Sequence, residues 1–148
     1  MVASSTSSIR PQYNSPTAAS GAIVLLGRFL FALIFILSGT RHFMSSTIAY
    51  AAAQGVPLAS IAVPISGLLA LLGGLCILLG FRTKIGAWLI VLFLVAVTPM
   101  MHRFWGVSDP MMAQMQMINF MKNVSMLGGA LIITQFGAGP WSLDSRRK

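Results

Sequence analysis

Four apolar runs, each about long enough to cross a bilayer, make up most of this chain. They are residues 21–43, 58–80, 85–101 and 117–136. A transmembrane helix needs about 20 predominantly apolar residues. Inside hydrocarbon, every backbone N–H and C=O must be paired within the structure, so a spanning segment is a helix or part of a closed barrel. The short connections between the runs favour antiparallel neighbours. The pattern therefore predicts an all-α, four-helix transmembrane bundle. Hydrophobic residues are 56% of the chain and charged residues 8%, against about a quarter charged in soluble domains. The net charge of +8 comes from ten basic residues set against two acids. Because these charges are few and lie between apolar runs, anionic lipid headgroups are the expected partners and nucleic acid is not.

The bundle is expected to occupy residues 21–144, with a flexible Ser/Thr/Pro/Ala-rich tail at 1–20 and a basic tail at 145–148. The first run reads as a retained span: the Ala-x-Ala patterns at 49–53 lie too far past its apolar core for a signal-peptide cleavage site. Between the first two spans, Ser45 and Ser46 are placed to cap a short interfacial helix over 47–54 that ends at Gly55 and Pro57. Ser66, Ala70 and Gly74 form a small-residue stripe on the second span, and Ser125 and Gly129 a small pair on the fourth. Such positions allow helices to approach closely in lipid.

Four crossings put both termini on one side. Arg10, Arg82, Lys84, Arg146, Arg147 and Lys148 then share that side, and Arg41 and Arg103 share the other. The six-to-two bias orients the termini toward the cytoplasm, with Trp88 and Trp141 at the inner interface and Trp105 at the outer one. A multi-pass membrane protein is the expectation.

This topology brings both histidines to the outer surface, His42 after the first span and His102 after the third. The fourth span starts there too, with Gln116, Asn119, Lys122 and Asn123 at helical spacing. At ~1.5 Å per residue, Lys122 falls within about 10 Å of the outer interface. These groups, with Arg103 and Trp105, are candidates for a polar, cationic, aromatic-walled pocket; interfacial solvation and snorkelling of Lys122 are the alternative. Arg28 lies about two turns inside the first span, where a guanidinium needs a partner. Asp144 is the only acid on that side, so an Arg28–Asp144 ion pair that ties the tail to the bundle is expected.

Met100, Met101, Met111, Met112, Met115, Met117, Met121 and Met126 form a dense thioether set beside His102. Thioethers suit Cu(I), but methionine is also routine apolar filler, and copper and haem are not expected cofactors. No metal site is assigned. The single cysteine, Cys76, excludes an internal disulfide and a Cys-x-x-Cys pair, so redox chemistry would need a bound cofactor or a partner. No carboxylate pair, Ser-His-Asp set or glycine-rich phosphate loop supports a hydrolase.

Several short motifs recur in a known order: Gly27-Arg28, Leu37-Ser38-Gly39 with His42-Phe43, Gly55-x-Pro57, and Gly73-Gly74 with Leu79-Gly80-Phe81-x-Thr83. After these come His102-x-Phe104-Trp105, Phe120-x-Lys122-Asn123 with Gly128-Gly129, and Gly139-Pro140-x-Ser142-Leu143-Asp144. In this order the chain resembles the DoxX family of small bacterial four-span membrane proteins over about residues 21–144. The resemblance implies association with redox or oxidative-stress partners, among them a thiosulfate:quinone oxidoreductase in one branch. Ala70 stands where that family often carries a glutamate, which weakens quinone-coupled proton chemistry. The expected role is an inner-membrane subunit or accessory of a redox or stress assembly, with the outer pocket able to hold a quinone headgroup. The alternatives are a non-catalytic assembly subunit of a larger membrane complex and a small-molecule or copper permease.

Overall fold

The computed structural model describes residues 17–147. Residues 1–16 of the tail expected over 1–20 lie outside them, as do Arg10 and Lys148, while residues 18–20 belong to the first helix. Five α-helices follow in order: α1 Ala18–Arg41, α2 Ser45–Ala53, α3 Ala59–Leu79, α4 Thr83–Met101 and α5 Pro110–Phe136. All except α2 are long and apolar enough to cross a membrane. A short 3-10 turn, Ser145–Arg147, follows.

Helix ends depart from the sequence expectation where side-chain capping outranks hydropathy. Helix α1 begins at Ala18 rather than Gly21, because Thr17 Oγ1 accepts the Ser20 backbone N–H at 3.3 Å. Helix α5 begins seven residues before Met117. Asp109 caps it by accepting the Met112 N–H at 2.8 Å, and Pro110 fills its first turn. The expected serine cap of α2 is not formed: Ser45 and Ser46 lie inside the helix, and Met44 precedes it without a side-chain bond. Helix α3 ends as glycine dictates. Gly80 takes φ +64°, and the Phe81 N–H reaches back to the Cys76 carbonyl at 2.9 Å.

Helix α1 packs on α3, α3 on α4, α4 on α5, and α2 on α3. The core is small-and-large: Ala32, Ala70, Ala87 and Ala130 alternate with Phe35, Ile77, Ile90 and Leu94. Glycines let the backbones meet. A Cβ on Gly39 would stand 3.0 Å from the Gly67 carbonyl, and one on Gly73 would stand 2.8 Å from the Gly86 carbonyl. Ala70 and Gly74 of the expected stripe are buried at these crossings, whereas Ser66 faces a recess under α2. Gly129 lies against the Phe31 ring, while Ser125 is exposed. Helix α5 buries only Asn123, Ala130 and Thr134. Its link to α1 is slight, and that seam opens as a groove.

Arg82, Lys84 and Arg146 sit at one end of the bundle; Arg41 and Arg103 sit at the other. Trp88, Trp105 and Trp141 are each about half exposed near helix ends, as interfacial anchors are.

Candidate functional site

At the end where α1 and α4 finish and α5 is under way, a groove of about 470 Å³ runs between α1 and α5, with α4 as its floor. Helix α1 contributes Phe35, Ser38 and Arg41, and His42 caps its end. Helix α2 contributes Thr47 and Tyr50, α4 contributes Phe93 and Leu94, and α5 contributes Lys122, Asn123 and Met126; His102 closes the end.

Each imidazole is fixed by one nitrogen. His42 Nδ1 lies 2.8 Å from the Ser38 carbonyl, which can only accept, so this nitrogen carries the proton. His102 Nδ1 lies 3.0 Å from Gln116 Oε1 and donates for the same reason. Nε2 of each ring remains for a ligand, as an acceptor in the neutral ring and a donor in the cation. The His42 ring also meets Phe93 edge-on at 5.7 Å, which fixes its tilt. The Lys122 amine donates to Asn119 Oδ1 at 3.0 Å and keeps two further protons.

Asn123 is the most demanding member. It is 7% exposed, lines the groove, and its side chain bonds to no described residue. Its amide atoms are not among the buried side-chain atoms that lack a partner, so the amide opens on the groove and is free to bond a polar molecule there. The Arg41 guanidinium and the Tyr50 hydroxyl likewise have no described partner. The groove lining holds Arg41, Lys122 and two imidazoles but no carboxylate.

The structure thus brings together His42, His102, Lys122 and Asn123, and leaves three candidates outside. Arg103 turns away and donates to the Gln54 carbonyl at 3.2 Å, tying the α4–α5 connection to the end of α2. Trp105 packs with Phe104 and Phe120 at ring centroid distances of 5.2 and 5.9 Å, away from the groove. Asn119 acts through Lys122 rather than lining the groove. The aromatic walls are Phe35 and Phe93 instead. Thr47 and Tyr50 escaped the sequence reading. Their three-residue spacing on a short helix next to His42 was the available signal. Of the methionines, Met101 and Met126 line the groove, whereas Met111, Met112, Met115, Met117 and Met121 are exposed on α5.

At the opposite end, Arg28 is 5% exposed and so does not snorkel. It does reach the tail, with Nη2 donating to the Trp141 carbonyl at 2.6 Å. The Asp144 carboxylate accepts the Arg82 and Thr83 N–H groups at 2.8 and 2.9 Å. The two residues hold the same segment by different bonds, and Asp144 also acts on Arg28 through its charge.

Lys122 is exposed, so Lys122→Leu is expected to insert and to change stability by less than about 0.5 kcal/mol. It should weaken ligand binding at the groove. Thermal unfolding in detergent checks the first expectation and a binding titration the second; unchanged binding would mark Lys122 as a surface residue only.

The SURF4 family model matches residues 4–148. The chain is 32% identical over 131 residues to the inner membrane protein YphA of Escherichia coli strain K12, a match that covers 87% of this chain and 93% of that protein. No solved structure matches the chain. The relative's location and the four apolar helices agree on a multi-pass protein of the inner membrane. The expectation of a small membrane family holds, although the family matched is not the one the motifs suggested: the chain belongs to the SURF4 family.

Proposed function

We propose that this inner-membrane protein binds a membrane-resident molecule by its polar head in the α1–α5 groove, that the molecule is a quinone, and that the protein serves a redox or oxidative-stress assembly as a subunit or accessory. The observation that carries the binding reading is Asn123, a residue 7% exposed whose amide opens on the groove without a described partner. A quinone suits the neighbours. Its carbonyls accept from Lys122, Asn123 and a protonated imidazole, and the quinol hydroxyls donate to a neutral Nε2. Phe35 and Phe93 supply apolar wall, and the weakly packed seam leaves a lipid tail a way out between α1 and α5. The DoxX-like order of motifs supports the redox setting. The middle of the bundle is filled by Phe35, Ile77, Ile90 and Leu94, which counts against a permease.

One observation favours a second reading. With Arg41 and Lys122 in the lining and no carboxylate, the groove also suits an anionic lipid head. Purification in mild detergent followed by mass spectrometry of extracted lipids separates the two. A quinone is expected with the wild-type protein and is expected to be lost from Asn123→Leu, which keeps the branched heavy-atom skeleton and removes the amide. Recovery of anionic phospholipid in its place supports the second reading. Identical extracts from both proteins would refute binding at the groove.

A further inference from the structure

A second space lies directly behind His42, under α2. It is a recess of about 110 Å³ between α2, α3 and α4, walled by Ala51, Ala62, Val63, Ala96 and Met100. His42, Thr47, Val97 and Met101 line both this recess and the groove, so the imidazole stands as a partition between them. The two sides differ in chemistry. Ser66 spends its proton on the Val63 carbonyl at 2.7 Å, and the His42 Nδ1 proton goes to Ser38. Only His42, Thr47 and Ser66 of its lining are polar, so an apolar guest suits the recess, as apolar cavities of about 150 Å³ take xenon or benzene.

We infer that the recess is a binding site for a compact apolar group of roughly four or five carbons, and that it receives a branched hydrocarbon portion of the molecule whose head lies in the groove. This second clause rests on the groove reading; the first stands without it. Shared walls give the continuity: a head held by Lys122 and Asn123 has the His42 ring beside it and the recess beyond. Such a compact branched group matches this volume, and a full-length straight acyl chain exceeds it.

The test uses crystals of the full-length protein under xenon, with anomalous scattering as readout. Xenon is expected in the recess of the wild-type protein, and 2-methyl-2-butene, a branched five-carbon hydrocarbon, is expected to displace it. Ala62→Leu should abolish the xenon peak by filling the space, and Ala96→Leu serves if that variant does not fold. Asn123→Leu should leave the peak intact. Thus a failure of the groove reading, with no ligand extracted, remains distinguishable from a failure at the recess. Absence of xenon in the wild type, ordered water in its place, no displacement by the hydrocarbon, or a detergent chain threading through the space would overturn the inference.

Discussion

Gly86→Leu is expected to abolish recovery of folded protein. A Cβ at Gly86 would overlap the Cys76 side chain and lie 3.0 Å from the Gly73 carbonyl, and a Cβ at Gly73 would be equally tight against the Gly86 carbonyl. Both obstacles sit on the helix backbones, so no rotamer change relieves them; α3 and α4 must separate. Overpacking a core costs about 1–3 kcal/mol where side chains can yield, and more is expected where they cannot. Separation also unpacks Ile77, Ala87 and Ile90, and lipid supplies no hydrophobic drive to bring the helices back together. The control is Gly128→Leu. Nothing lies within 4 Å of a Cβ there, and leucine is the better helix former by about 1 kcal/mol. Size-exclusion recovery and thermal unfolding in detergent should show Gly128→Leu at or above wild type and Gly86→Leu at aggregate. Equal behaviour of the two would mean that the α3–α4 crossing is looser than its backbone contacts indicate.

The four crossings were legible because bilayer thickness imposes a run length, and the chain obeys it with few charges inside. The ends were less so. Asp109-Pro110 is a readable start for α5, yet Gln114 and Gln116 lower the local hydropathy and draw the apparent boundary down to Met117. The gathering of His42, His102 and Lys122 followed from crossing parity alone, since odd-numbered spans end where the fourth begins. What parity does not supply is direction. Arg103 and Trp105 depend on the path of the connection between α4 and α5, where His102 takes φ −125° and ψ 40° and Gly106 takes φ +83°. No hydrophobic period encodes that path, and it sends the guanidinium to Gln54 and the indole to Phe120. The role of Asp144 was hidden for a similar reason. Its segment lies beyond two glycines with positive φ, Gly137 and Gly139, and returns to a turn 62 residues earlier in the chain.

That return sets up the second large effect, which a double-mutant cycle reads out. Asp144→Ala is expected to destabilise the protein by about 2–4 kcal/mol, from two separable sources. The carboxylate caps α4 from a distance, taking the N–H groups of Arg82 and Thr83, and lies at the positive end of the helix dipole. Loss of such a cap costs about 0.5–2 kcal/mol. Its charge also offsets Arg28, whose Nε and Nη1 are buried without described hydrogen-bond partners and whose guanidinium is pressed against Gly80. Removing the counter-charge of a buried cation costs more than a cap. Arg28→Leu alone should be mild, because the loss of the bond to the Trp141 carbonyl is offset by the removal of a desolvated charge. In the Arg28→Leu background, Asp144→Ala should therefore keep the cost of the cap, about 1 kcal/mol, and lose that of the counter-charge. Unfolding in mixed micelles measures all four corners of the cycle, and a coupling of roughly 1–3 kcal/mol is expected. The same Asp144→Ala cost in both backgrounds would reduce the carboxylate to a helix cap and leave the charge of Arg28 to be balanced elsewhere.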